Sequence, residues 1–152
     1  MEEQIRILKA QEEVIRISYA PQEGHFLKKA RSRKRRAGEI RFGEISSLLD
    51  FLDYSQAETA TLLAVDPSTI SRWKNKNEFL DKFRSGSLFE LDEIIAEGVR
   101  IFGSEESFWD WLETNNSAFG DRKPIDFIKN ETPYGLDLVS DSLAALSYGN
   151  YL

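Results

Sequence analysis

The stretch DPSTISRW, residues 66–73, decides the fold: it reads as the opening of a short polar helix. Asp66 suits the capping position for the free amides of a first turn, and Pro67 suits the first helical position because it has no N–H to leave unsatisfied. Ile70 and Trp73, three apart, form an inward stripe. Ser68, Thr69, Ser71 and Arg72 are left facing outward, and side chains of these types hydrogen-bond base edges and phosphates.

Working upstream, Ser55 followed three residues later by Glu58 is a capping box that starts a preceding helix. That helix carries Ala60 and Leu63 and ends at the turn Ala64-Val65-Asp66. Small Ala60 lets two helices cross closely while Leu63, Val65, Ile70 and Trp73 fill the wedge between them, which is the pattern of a helix-turn-helix. Two positions depart from the common pattern. Ala64 stands where glycine is frequent in the turn, and Thr59 stands where an apolar residue is usual. A helical corner with no DNA role is the competing reading, because such corners recur in all-α proteins. The polar outward face favours DNA: Ser68, Thr69, Ser71 and Arg72 face the major groove, Gln56 touches the backbone at the start of the preceding helix, and Lys74 meets phosphate. Arg72 is the expected base reader, since a guanidinium pairs with guanine O6 and N7.

Charge supports this division. Residues 1–88 hold 16 Lys and Arg against 13 Asp and Glu, whereas residues 89–152 hold 4 against 13, so the overall −6 hides two halves of opposite sign. The segment LKKARSRKRRAGEIR, residues 27–41, gathers Lys28, Lys29, Arg31, Arg33, Lys34, Arg35, Arg36 and Arg41 against the single acid Glu39. A run of this kind is ordinarily a solvated or mobile segment. Beside a candidate DNA-reading helix, phosphate contact is the expectation for Lys28, Lys29, Arg31, Arg33, Lys34, Arg35 and Arg36.

With 152 residues, 41% of them hydrophobic, the chain is large enough for one ordinary domain or two small ones. It contains no cysteine, which excludes disulfides, thiolate metal sites and cysteine nucleophiles. No apolar run approaches the roughly 18 to 20 residues of a membrane span, and the acidic opening MEEQ lacks the layout of a signal peptide, so a cytoplasmic protein with no membrane partner is expected.

Elsewhere the chain reads as helical. Residues 1–24 are ambiguous between a helix over EEQIRILKAQEE and a short strand over VIRISYA. Ile45, Leu48, Leu49 and Leu52 make a helical stripe that stops near Tyr54. EFLDKF, residues 78–83, reads as helical and gives way to Arg84-Ser85-Gly86-Ser87, whose small polar residues suggest a joint between domains. A helix from Leu88 follows and ends at Gly103, a residue suited to a left-handed C-cap. Ser104 caps the next, with Glu105 and Glu106 in its first turn. Pro124 opens the helix PIDFIKN, TPYG is a turn, and LDLVSDSLAALSYG is a last amphipathic helix. The organisation expected is all-α: a basic segment over 1–43, a helix-turn-helix region over 44–86 and a compact helical domain over 87–152.

Catalytic chemistry is thin. His25 is the sole histidine, without the partners of a metal or nucleophilic site, and an incidental role is expected for it. The helix dipole accounts for Glu105 and Glu106. Trp109 and Trp111, two apart, point different ways, and at least one is expected in the core. No glycine-rich phosphate loop is present. Neither an enzyme nor a cofactor or metal is expected.

The second half resembles the toxin-binding domain of Xre-type antitoxins, the partners of RES-domain toxins in type II toxin–antitoxin systems. The resemblance rests on Phe102-Gly103, Trp111-Leu112, Asn116 with Ala118 and Gly120, Arg122, Pro124, Asp126 and Ile128, Thr132 with Gly135, and Val139, Leu143 and Gly149. Asp121 stands where that family commonly has a second glycine, and Lys123 separates Arg122 from Pro124. The resemblance implies an antitoxin that occludes a toxin acting on NAD and represses its own operon through the helix-turn-helix. Its implied partners are the cognate RES-domain toxin and operator DNA, in a homodimer and a hetero-oligomeric toxin–antitoxin complex. Implied toxin contacts are Trp109, Arg122 and the tail Tyr148, Gly149, Asn150, Tyr151 and Leu152, whose aromatic anchors and terminal carboxylate suit an active-site mouth lined by arginine; a tail that merely packs or frays is the competing reading. A stand-alone regulator whose acidic domain binds another partner, and an interaction module that has lost DNA binding, are the competing readings.

Overall fold

A computed structural model describes Glu2, residues 24–130 and residues 134–149 of the chain. The segment read as helix or strand before Gly24 lies outside the described residues. Eight α-helices are described: α1 (Lys28–Arg31), α2 (Ser46–Phe51), α3 (Gln56–Leu63), α4 (Pro67–Lys76), α5 (Lys82–Phe102), α6 (Glu105–Leu112), α7 (Pro124–Asn130) and α8 (Tyr134–Ser147). A 3-10 turn over Phe42–Ile45 leads into α2, and another over Ser117–Phe119 precedes α7. Among the described residues the extended pairings are two isolated bridges, Arg41 with Phe79 and Asn116 with Arg122. The all-α expectation holds.

Helix α3 starts as its sequence dictates. The Ser55 amide donates to Glu58 Oε1 at 2.9 Å and the Glu58 amide donates to Ser55 Oγ at 3.1 Å, closing the capping box. Ala64 ends the helix with φ +55°, the left-handed conformation for which glycine is the usual solution in this turn. Thr59 occupies its apolar position without an unsatisfied hydroxyl, because Oγ1 donates to the Ser55 carbonyl at 2.9 Å. At α4 the expectation for Asp66 is corrected: it sits at the N-cap with extended backbone, but its side chain makes no capping bond. Its carbonyl instead accepts the amides of Thr69 and Ile70 at 2.9 and 3.3 Å.

Residues 78–87 also differ from their reading. Glu78–Leu80 is extended rather than helical: Phe42 N–H donates to the Glu78 carbonyl and Leu80 N–H to the Ile40 carbonyl, each at 2.8 Å. The joint expected at Arg84-Ser85-Gly86-Ser87 lies inside α5, a 21-residue helix whose N-cap, Asp81, accepts the Arg84 amide at 2.8 Å. Ser85 is fully buried; its Oγ accepts the Ile40 amide at 2.9 Å and donates to the Leu80 carbonyl at 3.3 Å. A small polar residue stands there because a buried amide needs a partner, not because the chain must bend.

The apolar core is continuous, running from Leu27, Ile40 and Leu48 through Leu88 and Ile95 to Phe108, Phe119, Val139 and Leu143. The basic segment is built into it: Leu27 and Ala30 are buried rather than solvated, and Leu27 bonds to Asp92 of α5. Its anchor is Asp92, a carboxylate with no exposed surface that accepts the amides of His25, Phe26 and Leu27 at 2.7, 2.8 and 3.0 Å. A Cβ on Gly24, at φ +84°, would collide with that carboxylate. His25, expected to be incidental, is structural, its Nε2 lying 2.7 Å from Glu105 Oε1.

In the C-terminal part, Gly103 closes α5 at φ +88° and the Ser104 hydroxyl accepts the Ser107 amide at 3.1 Å, both as expected. Tyr134 and Gly135, read as the end of a turn, begin α8, while Thr132 and Pro133 lie outside the described residues. A Cβ on Gly135 would collide with the Phe127 carbonyl, so α7 and α8 meet backbone against backbone there.

Candidate functional site

Two surfaces carry the sequence-derived residues. The first is the α3–α4 corner. Ile70 is buried, and Trp73 packs beside Phe42 at 6.3 Å and beneath the Arg84 guanidinium at 5.9 Å. Arg84 also donates from Nε to the Leu63 carbonyl at 2.6 Å, so the first turn of α5 clamps the end of α3. Asn77, in the left-handed conformation at φ +49°, ends α4 and accepts the Gly43 amide at 2.7 Å. The inward face and the C-terminal end of α4 are thereby fixed.

On the outward face Ser68, Ser71, Arg72 and Lys74 are exposed and Thr69 is half-buried. Gln56 Nε2 donates to Ser71 Oγ at 3.0 Å and to the Pro67 carbonyl at 3.3 Å. This bond holds the start of α3 against α4 and engages one of the expected base readers. Gln56 and Lys74 border a groove of about 390 Å³ whose other walls include Phe42, Gly43, Leu49 and Tyr54.

The basic run is sorted by the fold. Lys28 and Lys29 are exposed on α1. Arg31 pairs with Glu93 at 2.9 Å and lies over Phe89 at 4.8 Å. Arg33 pairs with Glu44 and donates to the Glu39 carbonyl at 3.1 Å. Burial pushes the Glu44 carboxyl up, but the Arg33 guanidinium and the Arg41 amide more than offset it and leave it below its usual range. Lys34, Arg35, Arg36 and Arg41 are exposed. Arg33, Arg36 and Arg41 lie over the ring of Phe79, and Lys34 and Arg35 line the same basin; sequence reasoning passed Phe79 over because it lies within a stretch that reads as helix.

The second surface belongs to α6–α8. A ladder of rings, Phe102, Phe108, Trp111, Phe119 and Phe127, runs through this part with neighbouring centroids 5.2 to 6.1 Å apart. Trp111 is on the ladder and Trp109 is not; Trp109 meets Phe51 edge-on at 6.0 Å, which agrees with the expectation that the two point different ways. Asn116 organises the following loop: its side chain accepts the Ala118 amide at 2.9 Å, its amide donates to the Arg122 carbonyl at 3.0 Å and its carbonyl accepts the Asp121 amide at 3.0 Å. Gly120 and Asp121 are both left-handed, at φ +64° and +60°, which is the physical reason a second glycine suits position 121. Arg122 lies over Phe127 at 4.4 Å, so Arg122 and Trp109 rest on different parts of the aromatic core. Tyr148 is exposed and Gly149 has φ +77°; Asn150, Tyr151 and Leu152 lie outside the described residues.

Among the described residues no group of three His, Cys, Asp or Glu side chains is disposed to hold a metal ion, and no helix is long and apolar enough to cross a membrane. Residues 97–149 match the family model of the antitoxin Xre/MbcA/ParS C-terminal toxin-binding domain. No curated protein matches the chain. The final turns of α5 and helices α6–α8 are thus the part of the chain that is similar to an antitoxin's toxin-binding domain. Over these residues the chain is similar to antitoxins of the Xre/MbcA/ParS kind, and the partner that such a domain implies is a toxin.

Proposed function

We propose that the chain is the antitoxin of a type II pair that occludes the active site of a cognate RES-domain, NAD-consuming toxin and represses its own operon by binding DNA. The observation that carries this reading is the family match over residues 97–149, on a chain whose α3–α4 corner exposes Ser68, Arg72 and Lys74. Residues 44–86 form the DNA-reading unit and residues 87–152 the toxin-binding unit, in a protein that works in the cytoplasm and has no catalytic role. Arg72 reads a guanine, Ser68, Thr69 and Ser71 supplement it, and Gln56, Lys74 and the exposed members of the basic run, Lys28, Lys29, Lys34, Arg35 and Arg36, hold the sugar-phosphate backbone, whereas Arg31 and Arg33 are engaged by Glu93 and Glu44. One corner reads a half-site, so a homodimer binds a near-palindrome, within a hetero-oligomeric complex when the toxin is present. On the toxin side, Trp109, Arg122 and the tail from Tyr148 to Leu152 make the contact, with the tail blocking the active-site mouth.

Co-expression with the product of the adjacent reading frame tests this, scoring growth and cellular NAD with and without the antitoxin. Restored growth together with restored NAD is the expected result. A neighbour that is harmless alone, or that poisons cells this chain cannot protect, overturns it.

A further inference from the structure

We infer that Lys34, Arg35, Arg36 and Arg41, which line one basin with Phe79, form a second, preorganised DNA-backbone contact held in fixed register with α4. The inference rests on the DNA-binding reading above and divides the basic run in a way that its sequence does not. Arg31 and Arg33 have their charges engaged inside the protein, by Glu93 and Glu44. Lys34 and Arg35 are exposed and make no ion pair with a described residue, and Arg36 meets Glu39 only at 3.4 Å while 59% exposed.

The Phe79 ring gathers three guanidinium groups, Arg41 at 4.4 Å, Arg36 at 4.5 Å and Arg33 at 5.4 Å. An aromatic ring attracts each cation, but the cations repel one another. Glu39 and Glu44 offset only part of that repulsion, so an open basin of about 790 Å³ lined by Phe79 and five basic residues stays strongly positive. An anion relieves it. The charges are spread around a ring and along a loop instead of converging on one point, an arrangement that meets successive phosphates along a strand better than one small anion.

Position selects the duplex. The bridge between Arg41 and Phe79, with its two 2.8 Å bonds linking residues 40–42 to 78–80, fastens the basin to the segment that follows α4. Phe79 is three residues beyond Lys76, the end of α4, a chain span of at most roughly 11 Å. A duplex seated on α4 and extending past its C-terminal end would lay its flanking phosphates on Lys34, Arg35, Arg36 and Arg41.

The test titrates the duplex upstream of the gene and an unrelated duplex across a salt series, using the full chain, Lys34→Ala/Arg35→Ala, Phe79→Leu and Arg31→Ala. The double variant should lower the magnitude of the log affinity against log salt slope by roughly two on both duplexes, leaving their affinity ratio unchanged. Phe79→Leu, which alters no charge, should weaken both duplexes several-fold because the arginines disperse. Arg31→Ala should leave the slope as it was. The double variant changes only exposed side chains, so it decides the matter if Phe79→Leu fails to fold. An unchanged slope in the double variant, with DNA still bound, overturns the basin and leaves the DNA reading standing. Absence of salt-dependent binding by the full chain overturns both. Inorganic tripolyphosphate that binds the full chain, with the slope unaltered in the double variant, assigns the basin to a small anion and overturns the duplex contact.

Discussion

Asp92 accepts the Leu27 backbone amide at 3.0 Å across 65 positions of sequence, and both residues are buried. The same carboxylate takes the amides of His25 and Phe26, so one side chain of α5 satisfies the turn that leads into the basic segment. Charge-assisted bonds to backbone N–H groups are among the stronger ones a protein makes, and removing the acceptor leaves buried donors unpaired. Asp92→Ala should therefore destabilise the fold by roughly 3 kcal/mol or more, and Asp92→Asn by less, as measured by urea denaturation. Stability within 0.5 kcal/mol or so of the original in Asp92→Ala would show that the turn finds other partners.

Lys129 of α7 reaches back to the start of α3, donating to the Asp53 carbonyl at 2.7 Å and pairing with Glu58 at 3.3 Å above the Tyr54 ring. The Ser55 amide, the Ser55 hydroxyl and Lys129 together outweigh partial burial and hold the Glu58 carboxyl below the usual carboxylate range. A depressed carboxylate stabilises the fold above its unfolded pKa and loses that contribution as pH falls through the folded one. Stability should thus drop as pH is lowered from about 5 toward 3, and Glu58→Gln should flatten that part of the profile. Parallel profiles for the two proteins in chemical denaturation at stepped pH would remove Glu58 from the account.

Gly135 faces the Phe127 carbonyl with no room for a Cβ. Gly135→Ala forces α7 and α8 apart and should cost about 1 to 3 kcal/mol, lowering the melting temperature and weakening toxin capture in a pull-down. Gly86→Ala provides the contrast: it lies in the interior of α5 with nothing near its missing Cβ, so it should stabilise by up to about 1 kcal/mol.

Arg72 is exposed on α4, whose seating on Ile70 and Trp73 does not involve it. Arg72→Ala should leave the fold intact and reduce discrimination between operator and altered half-site by about 1 to 3 kcal/mol at one base pair. Equal losses on every duplex would reassign Arg72 to a phosphate.

Deletion of residues 147–152 tests the tail. The truncated chain should still bind the toxin through α6–α8 and fail to inhibit it, read as binding by calorimetry beside NAD consumption. Full inhibition by the truncated chain would move the blocking element elsewhere on the domain. Ser147 accepts a bond from Arg100 at 3.1 Å, so a deletion starting at Tyr148 separates loss of the tail from loss of that tie.

Local chemistry made much of the fold legible. The capping box at Ser55, the proline opening α4, the left-handed Gly103 and the Ser104 cap act within one helical turn, and each is found where its residues place it. The misreadings share a cause. Ser85 reads as linker and EFLDKF as helix because their partners, Ile40 and Phe42, lie about 40 positions upstream, where no local pattern records them. The basic run reads as one solvated patch because a sequence lists charges without pairing them. Arg31 and Arg33 are set apart from Lys34 and Arg35 only by the acids that the fold brings alongside.

Sequence alone determined the all-α class, the α3–α4 helical corner, the opposed charges of the two halves and the resemblance of the second half to an antitoxin domain, because these depend on residue type and short-range periodicity. Tertiary structure decided the rest. A long α5 replaces a joint, Asp92 holds the basic segment in the core, and Phe79 assembles arginines from two segments at the end of α4. Each of these joins residues distant in the chain, and such contacts form when burial brings together backbone and charge that cannot be left unpaired.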